Sequence, residues 1–346
     1  MGRLVAVDAD RSQAFVSRLL QAWDAGDAVL PVDPRIPGRA RAALLTELRA
    51  GDTVDAGDAL VVATSGSTGR PKGVVLTHEA VRASVDAVSA RLGVEPASDR
   101  WLCCLPLSHL GGLSVVTRAV LTGTPLTFDD GDGDATLVSL VPTQLLRMDV
   151  GRFRAVVLGG QAPPADLPPN VVTTYGMTET GSGVVYDGVP LDGVEIRICA
   201  GGRIFVRGPM LLRCYRDGAD PKDGGGWLDT GDAGALGADG RLGVHGRLSE
   251  LIVTGGENVW PAPVESVLCR HPSVADAAVV GRPDPSWGER VVALVVPASG
   301  ADPPSLSDLR AAVKESLPPW CAPKDLELVD ALPRTALGKL YRAALG

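Results

Sequence analysis

The chain has 346 residues, 45% of them apolar and only 4% aromatic, with a net charge of −8. That length suits two domains with aliphatic cores rather than one. The acidic balance argues against a basic nucleic-acid-binding face, and the longest apolar stretches, such as 291–297, are too short to cross a bilayer.

Residues 1–11 mix charges with short apolar pieces and have no signal-peptide core, so the cytoplasm is the expected location. Cys103, Cys104, Cys199, Cys214, Cys269 and Cys321 show no CxxC pair and no zinc spacing, which leaves buried, reduced thiols as the expectation. Residues 13–23 and 39–48 read as amphipathic helices. Residues 59–63 form a short buried strand that runs into a Gly/Ser/Thr loop, then a second strand over 74–77 and a helix over 79–92. Residues 101–105 read as a strand and 111–121 as a helix. Two further strands, 155–158 and 171–174, are each expected to end in a glycine-containing loop. From 189 to 245, glycine-rich turns separate short β runs such as 203–206, the pattern of a small antiparallel subdomain. After a boundary near Ser249 come expected helices over 264–270 and 306–317 and strands over 274–280 and 291–296. Helices alternating with short apolar strands make the chain α/β.

Five motifs carry chemistry. The first is Thr64-Ser65-Gly66-Ser67-Thr68-Gly69-Arg70-Pro71-Lys72-Gly73. Its glycines let backbone N–H groups turn inward, its hydroxyls add donors and Lys72 adds a point charge, as a loop holding a triphosphate requires. It lacks the P-loop spacing, and a flexible surface loop is the competing reading. The second is Thr173-Thr174-Tyr175-Gly176-Met177-Thr178-Glu179-Thr180. Here Tyr175 can stack on a base, Thr178 can donate to a phosphate, and Glu179 can hold Mg2+. A strand end followed by a capped helix start would look the same. In the third, Gly226-Trp227-Leu228-Asp229-Thr230-Gly231-Asp232, a glycine turn presents Asp232 to the two hydroxyls of a ribose, unless it is a plain turn between strands. The fourth is Gly246-Arg247-Leu248-Ser249-Glu250 followed by Gly255-Gly256-Glu257-Asn258. The fifth, Pro333-Arg334-Thr335-Ala336-Leu337-Gly338-Lys339, ends in one of only five lysines (the others are Lys72, Lys222, Lys314 and Lys324).

These motifs, in this order, resemble the acyl-adenylate-forming superfamily of acyl-CoA synthetases, luciferases and peptide-synthetase adenylation domains. The resemblance runs from about residue 59 to 345. It implies a large N-terminal domain with α/β layers and a small β subdomain (1–248), followed by a small mobile α+β C-terminal domain (249–346). It implies that Thr64, Ser65, Gly66, Ser67, Thr68, Gly69 and Lys72 contact the triphosphate of ATP. Gly159, Gly160 and Gln161 would form the strip along the adenine, with Thr174, Tyr175 and Gly176 beside it. Thr178 and Glu179 match the phosphate and Mg2+ contacts, Asp232 and Arg247 the ribose pair, and Lys339 the lysine that drives adenylation. The hinge falls at Ser249, where many relatives carry Asp or Lys. The Gly255-Gly256 loop would admit the pantetheine arm of coenzyme A in the second half-reaction.

Within the superfamily the chain resembles the short o-succinylbenzoate–CoA ligases, because the phosphate loop begins only about 60 residues in. Pro106-Leu107-Ser108-His109 and Val141-Pro142-Thr143-Gln144 add local likeness, and place Ser108, His109 and Thr143 beside the acyl group. Arg118 is the physical clue. It sits in the apolar run 111–121, where a buried charge needs a partner. O-succinylbenzoate has two carboxylates, one to be activated and one to be held, and the resemblance implies that this arginine holds the second. Snorkelling to solvent is the competing reading for Arg118, and a satisfied structural imidazole for His109. The expected partners are a small carboxylic acid, ATP and coenzyme A, with no nucleic acid and no membrane; a homodimer is compatible. Two alternatives stay open. One is another acyl-CoA synthetase or an adenylation enzyme loading a carrier-protein thiol; the other is a nucleotide-binding module without catalysis.

Overall fold

The computed structural model describes residues 2–65, 71–164, 166–334 and 340–345. Gly66, Ser67, Thr68, Gly69 and Lys339, together with the side chain of Ser65, lie outside the described residues. Compactness divides the chain into two units. The first is Met1–Arg197, Phe205–Thr230 and Ala238–Leu242; the second is Ile198–Ile204, Gly231–Gly237 and Gly243–Gly346.

The first unit opens with β1 (Leu4–Asp8), α1 (Gln13–Asp24), β2 (Ala28–Val32), α2 (Gly38–Glu47), β3 (Asp58–Ser65) and β4 (Pro71–Thr77). Ser12 caps α1 by accepting from the Phe15 N–H, and the helix buries Phe15, Val16, Leu19 and Ala22. The expected amphipathic helix at 39–48 forms as α2 but buries none of its own residues. Next come α3 (His78–Leu92), β5 (Trp101–Leu102), α4 (Leu110–Thr122), β6 (Leu126–Thr127), β7 (Leu137–Leu140) and α5 (Pro142–Leu145). They are followed by β8 (Ala155–Leu158), β9 (Val171–Met177), β10 (Ser182–Tyr186) and β11 (Val189–Pro190). The small-sheet region contains β12 (Glu195–Ile198), β13 (Arg203–Arg207), β14 (Cys214–Tyr215), β15 (Leu228–Leu236) and β16 (Leu242–Arg247).

Strands β1-β2-β3-β4-β14 form one sheet and β11-β10-β9-β8-β7-β5-β6 a second. In the second, β6, β5, β7, β8 and β9 run parallel. Every residue of β7 and β8 is buried, the continuous apolar run of a parallel strand covered on both faces. Helix α4 buries Leu110 and every residue from Gly112 to Ala119, and a Cβ on Gly112 would come within 2.5 Å of the Pro106 oxygen, so only glycine lets the 106–109 turn lie against this helix.

Three expectations need correction. The strand expected over 101–105 ends at Leu102, because the chain leaves the sheet to make the turn that starts α4. The strand expected to stop at residue 174 continues to Met177, since β10 pairs with it antiparallel and extends the ladder through Tyr175 and Gly176. The region 189–245 is not one subdomain. There β11 joins the seven-stranded sheet and β14 pairs with β4, leaving β12-β13-β15-β16 as the small sheet, through which the division between units runs.

The second unit adds β17 (Ile252–Thr254), β18 (Glu257–Val259), α6 (Pro261–Leu268), β19 (Val274–Asp284), β20 (Gly288–Pro297), α7 (Leu306–Ser316) and β21 (Asp325–Leu328). β17, β18 and β21 had no clear sequence signal. One face of this sheet packs on α6 and α7 through Val264, Leu268, Val279, Val291, Leu309 and Val313. Among the described residues no helix is long and apolar enough to cross a membrane.

Candidate active site

The parallel strands β5, β7, β8 and β9 set the site. Their C-terminal ends lie along one edge of the sheet, where open α/β sheets bind ligands. In sheet order, that edge carries Thr178 and Glu179 after β9, Gly159-Gly160-Gln161 after β8, Thr143 after β7, and Ser108 and His109 after β5. Residues far apart in the chain thus converge by topology alone.

Glu179 lies in a 3-10 turn, Thr178–Thr180, that follows β9. The turn is closed by Thr180, whose hydroxyl accepts from the Met177 N–H at 2.9 Å and donates to the Ser182 oxygen at 2.7 Å. It does not start a regular α-helix. Glu179 is buried, and its Oε1 accepts from the Tyr215 hydroxyl at 3.0 Å. Lys72 Nζ sits 4.7 Å from the centroid of the same Tyr215 ring. Burial, and then the Glu179 carboxylate, push the Tyr215 phenol far above its ordinary range, so it remains a donor. Tyr215 gave no signal in the sequence; it reaches the site because β14 pairs with β4, setting Tyr215 opposite Val74. Among the described residues no group of three or more His, Cys, Asp or Glu could hold a metal. A single carboxylate with one oxygen engaged still fits Mg2+ that takes its other ligands from phosphate and water.

Gly159 sits against Thr174: a Cβ there would lie 2.5 Å from Thr174 Oγ1. Gly160 has φ +87. A Cβ on Gly176 would lie 2.2 Å from the Ser182 oxygen, so β9–β10 pairing itself requires that glycine. Tyr175 is half-buried on β9. Thr143 is exposed. Thr64 Oγ1 is 3.4 Å from the Lys72 oxygen across the β3–β4 pair, and the Lys72 side chain is exposed.

Ser108 is buried and its Oγ has no hydrogen-bond partner, while His109 is half-buried as the residue before α4. A cleft of about 330 Å3 opens beside them, lined by Asp10, Arg11, Asp33, Arg35, Cys104 and Ser108 among others. Arg118 does not snorkel: it is 3% exposed. Its Nη2 donates to Ser182 Oγ at 3.0 Å, and its guanidinium carbon lies 5.6 Å from the Trp101 ring centroid. Its Nε and Nη1 are buried with no hydrogen-bond partner. Ser182 pairs with Met177, the last residue of β9, so the guanidinium reaches the level of the ligand edge.

In the second unit, Asp232 is buried and pairs with Arg247, Oδ1 to Nε at 3.0 Å. Asp232 does not follow a free turn; Gly231 (φ +72) and Asp232 lie within the continuous strand β15. Ser249 is exposed within the 3-10 turn Leu248–Glu250. Gly255 (φ +61) and Gly256 (φ +84) form the two-residue turn between β17 and β18, whose positive φ values favour glycine. A Cβ on Gly255 would also meet the Trp287 ring at 2.7 Å.

The family model for AMP-binding enzyme matches residues 46–216, and that for the AMP-binding enzyme C-terminal domain matches 263–339. The chain belongs to the AMP-binding enzyme family, within the acyl-adenylate-forming superfamily. It is 43% identical, across 88% of each chain, to a probable 2-succinylbenzoate–CoA ligase of Mycobacterium tuberculosis (strain CDC 1551 / Oshkosh). The o-succinylbenzoate CoA synthetase (MenE) of Bacillus subtilis, solved with ATP and magnesium ion, superposes with TM-score 0.86 at 29% identity, covering 99% of this chain and 88% of that one. The same enzyme solved with its acyl-adenylate intermediate gives TM-score 0.78 at 31% identity, covering 99% and 82%.

Proposed function

We propose that this chain joins o-succinylbenzoate to coenzyme A, using ATP and Mg2+ and passing through an acyl-adenylate. The observation that carries the reading is Arg118, a buried guanidinium with two nitrogens lacking partners. A buried cation without an anion is costly, and a second substrate carboxylate supplies one. The likeness to enzymes named for this substrate supports the same acid.

In the first half-reaction one substrate carboxylate oxygen attacks the α-phosphorus and pyrophosphate leaves. Two anions must approach, so catalysis rests on positioning and charge neutralisation. Lys339 bridges the attacking carboxylate and an α-phosphate oxygen. Thr178 donates to phosphate, and Thr64–Lys72 cradle the β- and γ-phosphates. Glu179, held by Tyr215, keeps a carboxylate oxygen available for Mg2+, which when bound spreads the charge of the departing pyrophosphate. Tyr175 stacks on the adenine along Gly159-Gly160-Gln161, beside Thr174 and Gly176, and Asp232, oriented by Arg247, accepts from the ribose hydroxyls. In the second half-reaction the coenzyme A thiolate attacks the acyl carbonyl and AMP leaves. Residues 249–346 move as a body about Ser249 between the two steps, and the Gly255-Gly256 turn then admits the pantetheine arm. Ser108, His109 and Thr143 border the acyl group. A cytoplasmic location, small-molecule partners without nucleic acid or membrane, and a homodimer complete the proposal.

The test is CoA-thioester formation with ATP and Mg2+ across a panel of acids. O-succinylbenzoate should be preferred over monoacids of similar size. Equal turnover of aromatic or fatty monoacids would overturn the substrate assignment.

A further inference from the structure

Arg342 lies three residues beyond Lys339, and the mechanism above gives it no role. Its guanidinium meets two carboxylates. Its Nε lies 2.9 Å from Glu250 Oε2 and its Nη2 2.9 Å from Glu265 Oε2. Its Nη1 donates to the Val279 oxygen at 3.1 Å. Glu265 is fixed in turn, its Oε1 accepting from the Val279 N–H at 2.8 Å. The guanidinium is thus held in one plane by α6, β19 and the turn Leu248–Glu250 together, a geometry an ammonium cannot reproduce.

The segment around it is anchored on both sides. Arg334 and Leu340 form an antiparallel bridge, and the Tyr341 N–H donates to the Pro333 oxygen at 2.8 Å. Arg334 Nη2 meets Asp276 Oδ2 at 2.5 Å. Leu332 and Leu345 are buried against Ala278, Val292 and Leu294. The described residues on either side of 335–339 are therefore tied to the sheet. Arg342 adds what these contacts lack, a bond to Glu250, the residue directly after Ser249.

We propose that Arg342 is a positioning residue for adenylation: through Glu265 and Glu250 it ties residues 340–345, the stretch directly after Lys339, to α6 and to the turn Leu248–Glu250. This inference rests on the role given above to Lys339. A lysine that bridges two anions works only within a narrow placement, and small displacements are expensive in rate. The aliphatic contacts of Leu332 and Leu345 remain without Arg342, so its loss frees residues 340–345 from Glu250 and Glu265 and leaves the fold standing.

The two half-reactions separate this role from a merely structural one. ATP–pyrophosphate exchange reads adenylation; thioester formation from supplied acyl-adenylate and coenzyme A reads the second step, in which Lys339 takes no part. Each variant is assayed where circular dichroism shows it folded. Arg342→Gln should lower the exchange kcat about 10- to 100-fold with little change in KM for ATP or acid. Thioester formation should stay within about twofold of wild type. Arg342→Lys should recover part of the exchange rate, because it can keep one carboxylate, and Glu265→Gln should show the same split more weakly. If both half-reactions fall together in Arg342→Gln and Glu265→Gln, or if exchange is unchanged while Lys339→Ala abolishes it, the proposal is overturned. Undiminished exchange in Lys339→Ala sinks the mechanism itself, and this inference with it.

Discussion

Buried Arg118 and partly buried Arg342 meet opposite surroundings. Arg342, in the second unit, has a carboxylate on either side of its guanidinium and a backbone oxygen for a third contact. Arg118, in the first unit, is more deeply buried, yet its neighbours are a serine hydroxyl and a tryptophan ring, and two of its nitrogens bond to nothing. A guanidinium that is satisfied within its own unit holds neighbouring chain segments in place. One left short of an anion at the ligand edge of a sheet is poised for something that arrives from outside. The folding cost of the second kind is offset only when the ligand binds, which makes it a marker of function that burial alone would miss.

The sharpest way to break this comparison is Arg118→Met. Removing the cation should lower kcat/KM for o-succinylbenzoate by about 100-fold or more, ~3 kcal/mol, the scale of a charge-assisted bidentate contact. The same variant should be no less stable than wild type in urea, because an unpartnered buried charge is replaced by an apolar side chain of similar length. A variant that keeps its activity on the diacid while losing stability would show that Arg118 is structural.

The mirror experiment is Arg342→Met, read as stability. Here the removed group leaves Glu265 in a low-dielectric site without its cation, so unfolding should become easier by about 2–3 kcal/mol. Opposite signs of the stability change at the two arginines are the expectation, and urea midpoints measured side by side check it.

A third test uses pH. Burial holds the Glu265 carboxyl above its ordinary value despite the neighbouring Arg342. The folded state therefore binds this proton more readily than the unfolded state. Its contribution to stability is present below the ordinary carboxylate pKa and is lost as pH rises through the raised value. Glu265→Gln should flatten the fall of stability with pH across that window. Urea midpoints of wild type and variant that track in parallel from acid to neutral pH would contradict it. At Arg118, where no carboxylate among the described residues is in contact, substitution should leave the pH slope unchanged.

The contrast between the two arginines was only half legible in the sequence. Arg118 stood out because a charge inside an apolar helical run is unusual, and local pattern suffices to see it. The α/β alternation and the residues at the ends of β8 and β9 were readable for the same reason: buried parallel strands are continuous apolar runs, and the loops after them are rich in glycine and hydroxyls. Arg342 gave no such signal, because its carboxylates come from a turn and a helix far earlier in the chain. Tyr215 was invisible likewise, since only the pairing of β14 with β4 brings it to Glu179. Gly176 was readable as part of a motif, but its physical necessity, the close approach of the Ser182 backbone, appears only with the β9–β10 register.

The smallest expected effect is the most discriminating. Ser182 supplies the hydrogen bond at 3.0 Å to Arg118 and receives a second contact from Ser84 Oγ at 3.4 Å. If Arg118 serves the substrate, Ser182 only orients it, and Ser182→Ala removes one neutral–charged bond while the guanidinium stays in place between α4 and Trp101. The loss should be about 1–2 kcal/mol, seen as a several-fold rise in KM for o-succinylbenzoate with kcat nearly kept. If instead the Arg118–Ser182 bond is itself the reason for the arginine, Ser182→Ala and Arg118→Met should fall by the same amount, and the double variant no further than either. A double-mutant cycle on these two residues, measured in activity and in urea, therefore decides whether the missing anion at Arg118 is a substrate carboxylate or no ligand at all.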